Sequence, residues 1–98
     1  MKLGFDCHAH VYGLVSRARG SNYSPSRAAP LVNWQDNLES CKLRGGVLVQ
    51  PSFLGNDNRE LLGILTKLDH AYRGVVQLPK ETTLEEIAVL DAAGIVGV

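Results

Sequence analysis

The stretch VLVQPSFLGNDNRELLGILTKLDHAYRGVVQL (residues 47–78) decides the fold. It opens on the apolar run Val47-Leu48-Val49, which Pro51 stops. It ends on a second run, Gly74 to Leu78, closed by Pro79. Between them Leu61, Leu62, Leu65 and Leu68 fall at helical spacing, and Asp57 with Glu60 three residues on predicts a capping box. Two buried-type strands joined by a helix of about ten residues read as a parallel βαβ unit with a right-handed crossover.

The pattern repeats on both sides. Upstream, Leu3 to Cys7 reads as a strand and residues 11–30 as a long polar loop, a size common for binding loops. Pro30 suits a first helical position. Leu31, Trp34, Leu38 and Cys41 give the following helix one apolar face, with Gly45-Gly46 as its predicted stop. Downstream, Thr83 and Glu86 form a second capping box, and Leu84, Ile87, Ala88 and Leu90 make one side of the next helix apolar. Gly94 ends it, and Ile95 to Val98 begins a fourth strand. The order β-α-β-α-β-α-β is that of an α/β fold with parallel strands. The strands are apolar throughout, which predicts a sheet buried on both faces. Spacing alone leaves an open sheet and a barrel as alternatives.

Composition agrees and excludes several functions. The 98 residues are 45% hydrophobic and 20% charged, a globular balance. Ten basic and ten acidic side chains give a formal net charge of zero, which excludes a nucleic-acid binder held by bulk charge. No apolar run approaches the ~20 residues of a membrane span. The N-terminus turns polar after five residues, unlike a secretory signal. Cys7 and Cys41 are too few for a disulfide scaffold, so two reduced thiols and a cytoplasmic location are expected. A whole eight-stranded barrel needs ~200 residues or more. The final apolar strand, with nothing after it, further predicts a part of something larger or a chain that pairs with another, for example as a homo-oligomer.

Candidate chemistry gathers after the first strand, at Asp6-Cys7-His8-Ala9-His10. Strand alternation puts Asp6, His8 and His10 on one side. Two imidazoles two residues apart on one face can share a cation, and in parallel α/β folds sites form at the carboxyl ends of strands. The alternative is that both rings only satisfy loop backbone. His70 falls at the opposite end of the sheet and reads as a surface residue. Gln50 and Ser52 follow the second strand with shared parity, beside the histidine end, where a hydroxyl can hold a carboxylate or carbonyl. Asp57 reads better as a helix cap. No acidic residue stands between Asp6 and Asp36, whereas Arg17, Arg19 and Arg27 do. Arginine forks there, with Tyr23 as a further donor, point to an anionic small-molecule substrate. A solvated surface loop is the alternative.

Three runs together, FDCHAHVYG, VLVQPSFLGNDN and RGVVQL with AGIVGV, resemble the amidohydrolase superfamily. The similarity is to its amidohydrolase-related branch of TIM-barrel hydrolases, which includes pyrone-dicarboxylate and sugar-lactone hydrolases. It covers the chain but only the first three and a half βα units of the barrel. The resemblance implies that His8 and His10 are metal ligands and catalytic residues, binding a divalent cation such as zinc, although some members of the branch lack a tightly bound one. It implies that Ser52 contacts substrate and that Tyr23 falls in a substrate-contacting loop. The family's later histidine, its carboxylate-gripping arginines and its strand-eight aspartate would lie beyond Val98. The implied activity is water attack on a carboxylated lactone or cyclic ester, by a parent protein that completes the site. A non-catalytic half-barrel module and a decarboxylase on the same scaffold are the alternatives.

Overall fold

The computed structural model describes residues 1–13 and 27–98. Its elements are β1 (Phe5–Ala9), α1 (Leu31–Ser40), β2 (Gly45–Val49), a 3₁₀ turn (Ser52–Leu54), α2 (Arg59–Leu65), β3 (Tyr72–Val75), α3 (Leu84–Ala92) and β4 (Ile95–Gly97). All strand pairs are parallel, and the sheet order is β1-β2-β3-β4. A doubly wound sheet reverses its strand order at a switch point. Here the order never reverses, which is the arrangement of consecutive units in a β/α barrel.

One core cluster joins the helices to the sheet. Trp34 and Leu38 of α1 and Leu61 and Leu65 of α2 are buried with Leu48, Val76 and Ile95, and Leu90 of α3 packs against them half-buried. All three helices therefore cover the same face. Leu48, 1% exposed, sits at the centre. On the opposite face Val47, Val49 and Val75 are only half-buried, where the apolar pattern predicted burial on both sides.

The helix stops correct the sequence reading in one place. Gly45 and Gly46 do not end α1; they begin β2. The stop is a Schellman-type turn with Lys42 in the left-handed region, φ 56°. In that turn the Leu43 N–H donates to Leu38 O at 2.9 Å and the Lys42 N–H to Glu39 O at 3.1 Å. Gly46 is required for another reason. A Cβ there would strike the Asp6 carbonyl oxygen and lie 2.8 Å from Trp34 Cζ2, so the close seating of β1 and α1 over β2 needs the missing side chain. Gly94 does end α3, with φ 101°.

The two predicted capping boxes part company. At α3, Thr83 Oγ1 accepts the Glu86 N–H at 3.1 Å and its hydroxyl meets Glu86 Oε1. At α2 no box forms: Asn58 takes the cap position without a side-chain cap bond. Glu60 reaches away to accept the Gly13 N–H at 3.0 Å, a tertiary partner that local spacing cannot show. The apolar side of α3 is also not buried as expected. Leu84 is 85% exposed, and Ile87 and Val89 are exposed, because only one flank of α3 meets the sheet and among the described residues nothing packs on the other.

Candidate active site

The site begins with an irregularity in β1. Asp6 pairs with Gly46 and Ala9 with Leu48, so three steps along β1 match two along β2. A bulge of this kind re-aims side chains. It corrects the strict alternation read from sequence. The Asp6 carboxylate turns to α1, where Oδ2 accepts the indole N–H of Trp34 at 2.9 Å, and Oδ1 accepts the backbone N–H of His8 at 3.2 Å. Ala9 packs against the helix-side core. Asp6 is thus a structural partner of α1, and the two histidines keep a common side without it.

The His8 and His10 rings stand edge to face, centroids 5.0 Å apart at 78°. Their Nε2 atoms are 3.3 Å apart. His10 Nδ1 lies 2.8 Å from the Val49 carbonyl oxygen on β2. A carbonyl only accepts, so Nδ1 carries the proton and the Nε2 of neutral His10 presents a lone pair. Anchoring the second ring nitrogen in this way orients metal-binding histidines. Two nitrogens held tetrahedrally at Zn–N distances of about 2.0–2.1 Å lie about 3.3 Å apart, so the observed pair fits two positions on one such ion. Among the described residues no third histidine, cysteine or carboxylate joins them.

Both rings open into a cleft of about 410 Å³ at the carboxyl rim of the sheet. Ser52 stands exposed on its wall, at the start of the 3₁₀ turn. Tyr12, to which the sequence reading gave no role, packs edge to face on Phe53 at 4.9 Å. It also exchanges two 2.9 Å backbone hydrogen bonds with Ala29, which closes the neck of the 13–28 connection. The only sequence signal for Tyr12 was its nearness to the histidines.

The other expected residues divide. Gln50 borders the cleft, but its side chain is buried and its amide nitrogen serves the protein: Nε2 donates to Gly55 O at 3.0 Å and Asp57 O at 2.8 Å. The amide nitrogen of this expected ligand contact braces the loop, while its Oε1 makes no hydrogen bond. Asn58, missed as a key residue, braces the same loop; its Nδ2 donates to Asn56 O and Gln77 O, and its Oδ1 accepts the Gln77 N–H. Arg27 is exposed and lines a neighbouring cleft of about 310 Å³ with His10, Asn33 and Asn37. Arg17, Arg19 and Tyr23 lie outside the described residues. His70 is exposed in the connection that leads into β3, away from the site. Asp57 pairs with Arg59 through two 2.8 Å bonds, and the guanidinium holds its carboxyl well below the usual range, at about 2.

No protein-family model and no curated protein matches the sequence. Solved structures do match. A protein of Acinetobacter baumannii assigned as a 2-pyrone-4,6-dicarboxylic acid hydrolase, crystallised with citric acid bound, superposes with a TM-score of 0.91 at 33% identity over 96% of this chain and 36% of its own. A protein of Pseudomonas putida with the same assignment gives 0.86 at 39% identity, over 96% and 35%. A third, from Agrobacterium tumefaciens, gives 0.82 at 20% identity over 96% and 35%, a likeness of fold alone. This chain spans about a third of the length of each. It corresponds to the N-terminal part of these barrels, as its motifs implied.

Proposed function

We propose that this chain, the counterpart of the N-terminal third of barrels assigned as pyrone-dicarboxylate hydrolases, carries the first-strand part of a site that hydrolyses a carboxylate-bearing lactone or cyclic ester. The observation that carries the proposal is the histidine pair, with Nε2 atoms 3.3 Å apart and His10 braced on Val49 O, opening into the cleft that Ser52 borders. The named activity of the two relatives above 30% identity supports the substrate class. So does the citric acid held by the Acinetobacter protein, since citric acid is a tricarboxylic acid.

In this reading His8 and His10 hold a divalent cation, zinc by ligand type, through Nε2. Such a cation supplies Lewis-acid polarisation of an ester carbonyl and lowers the pKa of water. The chain's own residues bind and orient. The Val49 carbonyl keeps His10 in the Nδ1–H form. The Ser52 hydroxyl donates to a ligand carboxylate, Arg27 with Arg17 and Arg19 from the same connection balances its charge, and Tyr23 adds a hydrogen-bond donor. Among the described residues no third histidine, cysteine or carboxylate joins the pair, and in this reading the group that takes the proton from water is supplied by the rest of the parent protein.

The test is hydrolysis of 2-pyrone-4,6-dicarboxylate by the protein carrying this chain, followed by product analysis. Ring-opened product is expected, and His8→Ala lowers turnover by orders of magnitude while the circular dichroism spectrum stays unchanged. Near-normal turnover in that variant refutes the proposal, and release of carbon dioxide points instead to decarboxylation.

A second reading, a non-catalytic half-barrel that assembles through its edge strand, is favoured by one observation. Leu84 and Val89 of α3, Val96 of β4 and Val98 just after it are 61–85% exposed. Light scattering of the 98-residue chain separates the two: a stable oligomer without hydrolysis supports the second reading, and a monomer removes it.

A further inference from the structure

We propose that Gln50 is a positioning residue for the cleft, setting both the backbone that holds His10 and the loop that carries Ser52; this rests on the cleft being the active site. The peptide unit between Val49 and Gln50 is tied on both sides. Its N–H donates to Val75 O on β3 at 2.9 Å, and its C=O accepts His10 Nδ1–H at 2.8 Å. The bonds run in one direction, from β3 through β2 to the imidazole, so each polarises the next.

The side chain of the same residue closes the loop. Both partners of Nε2, Gly55 O and Asp57 O, are carbonyls, which fixes the orientation of the amide. Oε1 then has no hydrogen-bond partner although it is buried, and the residue is only 7% exposed. A buried carbonyl left unpaired carries a desolvation cost. An amide kept at that cost is explained by its two donated bonds, which neither a hydrophobic side chain nor a carboxylate of the same length can make. Asn58 fastens the far end of the loop to Gln77, the residue after Val76. The segment 51–57 is thus clamped at both ends, with Ser52 and Phe53 between the clamps. Gln50 acts through the backbone that holds His10 and through the loop that carries Ser52.

The test is nitrogen-15 NMR of the protein without metal or substrate, comparing the parent with Gln50→Met. In the parent, His10 shows the Nδ1–H tautomer and the Gln50 side-chain amide protons exchange slowly. In Gln50→Met the side-chain bonds to Gly55 O and Asp57 O are lost, the Val49–Gln50 peptide is freed to turn from the imidazole, and His10 becomes a mixture of tautomers. Exchange of the Gly55 and Asp57 amides accelerates on the order of tenfold, while the Gly74 and Val76 amides of β3 and its extension are unchanged. Loss of packing alone would not move the His10 tautomer. An unchanged His10 signature in Gln50→Met overturns the proposal whatever the loop does. If that variant does not fold, the parent decides: Gln50 side-chain protons exchanging as fast as those of free glutamine overturn it, and slow ones support it. No turnover is read, so absence of hydrolysis would count against the proposed function and leave this result standing.

Discussion

Substituting Gly46 by alanine tests whether β1, β2 and α1 are seated as closely as the site requires. A Cβ at this position meets the Asp6 carbonyl oxygen, Trp34 Cζ2 at 2.8 Å and Asp6 Cβ at 3.1 Å. Two of the three belong to the strand that carries His8, and the third to a buried ring whose N–H is tied to Asp6. Overpacking of this kind costs typically ~1–3 kcal/mol. The loss of unfolded-chain freedom on replacing glycine returns only about 0.4–1 kcal/mol, so destabilisation wins. In a domain of this size each kcal/mol moves the melting temperature by about 4–8 °C, which predicts a fall of several degrees. Gly63→Ala is the matched control. It lies inside α2 with nothing within 4 Å of the added methyl, so helix propensity alone should stabilise it by about 0.5–1 kcal/mol. Thermal melts followed by circular dichroism give the answer. Gly46→Ala melting at or above the parent, or both variants shifting together, would refute the packing argument.

Other outcomes are expected on the same footing. Leu48→Ala, at the most buried side chain of the core, should cost about 2–5 kcal/mol in urea unfolding; a cost below about 1 kcal/mol contradicts the core assignment. Thr83→Ala should cost ~1 kcal/mol by removing the cap of α3, and an unchanged denaturation midpoint would mean that the cap bond is not formed. Asp57 has a folded pKa depressed to about 2, so its contribution is fully present above the unfolded value near 3.8 and is lost as pH falls through about 2. Carbon-13 NMR should place its midpoint there, and Arg59→Ala should return it toward 3.8; equal midpoints in both proteins would remove the pair.

Much of this was legible in the sequence because it is local. The apolar runs at Val47-Leu48-Val49 and Ile95-Val96 and the helical spacing of Trp34 and Leu38 predicted the alternating elements. His8 and His10 were visible as two rings leaving the first strand together. What was not legible depends on contacts distant in the chain. Gly45 and Gly46 read as a helix stop because their role, close approach to Ala71, Asp6 and Trp34, exists only once the sheet is assembled. Asp6 read as a companion of the histidines because a bulge against β2 has no local signature. Glu60 read as half of a capping box, and its partner proved to be Gly13, 47 residues away. The bonds of Gln50 to Gly55 O and Asp57 O were not legible, because spacing shows which way a residue points and not which carbonyls it meets.

The most direct measurement is X-ray absorption on the zinc-loaded protein, paired with calorimetric zinc titration of the parent and of a His8→Ala, His10→Ala double variant. The account predicts one zinc per chain with two imidazole nitrogens at about 2.0–2.1 Å, and loss of both signal and binding in the double variant. Zinc bound equally well without the two rings, or a zinc shell with no imidazole in it, would contradict it.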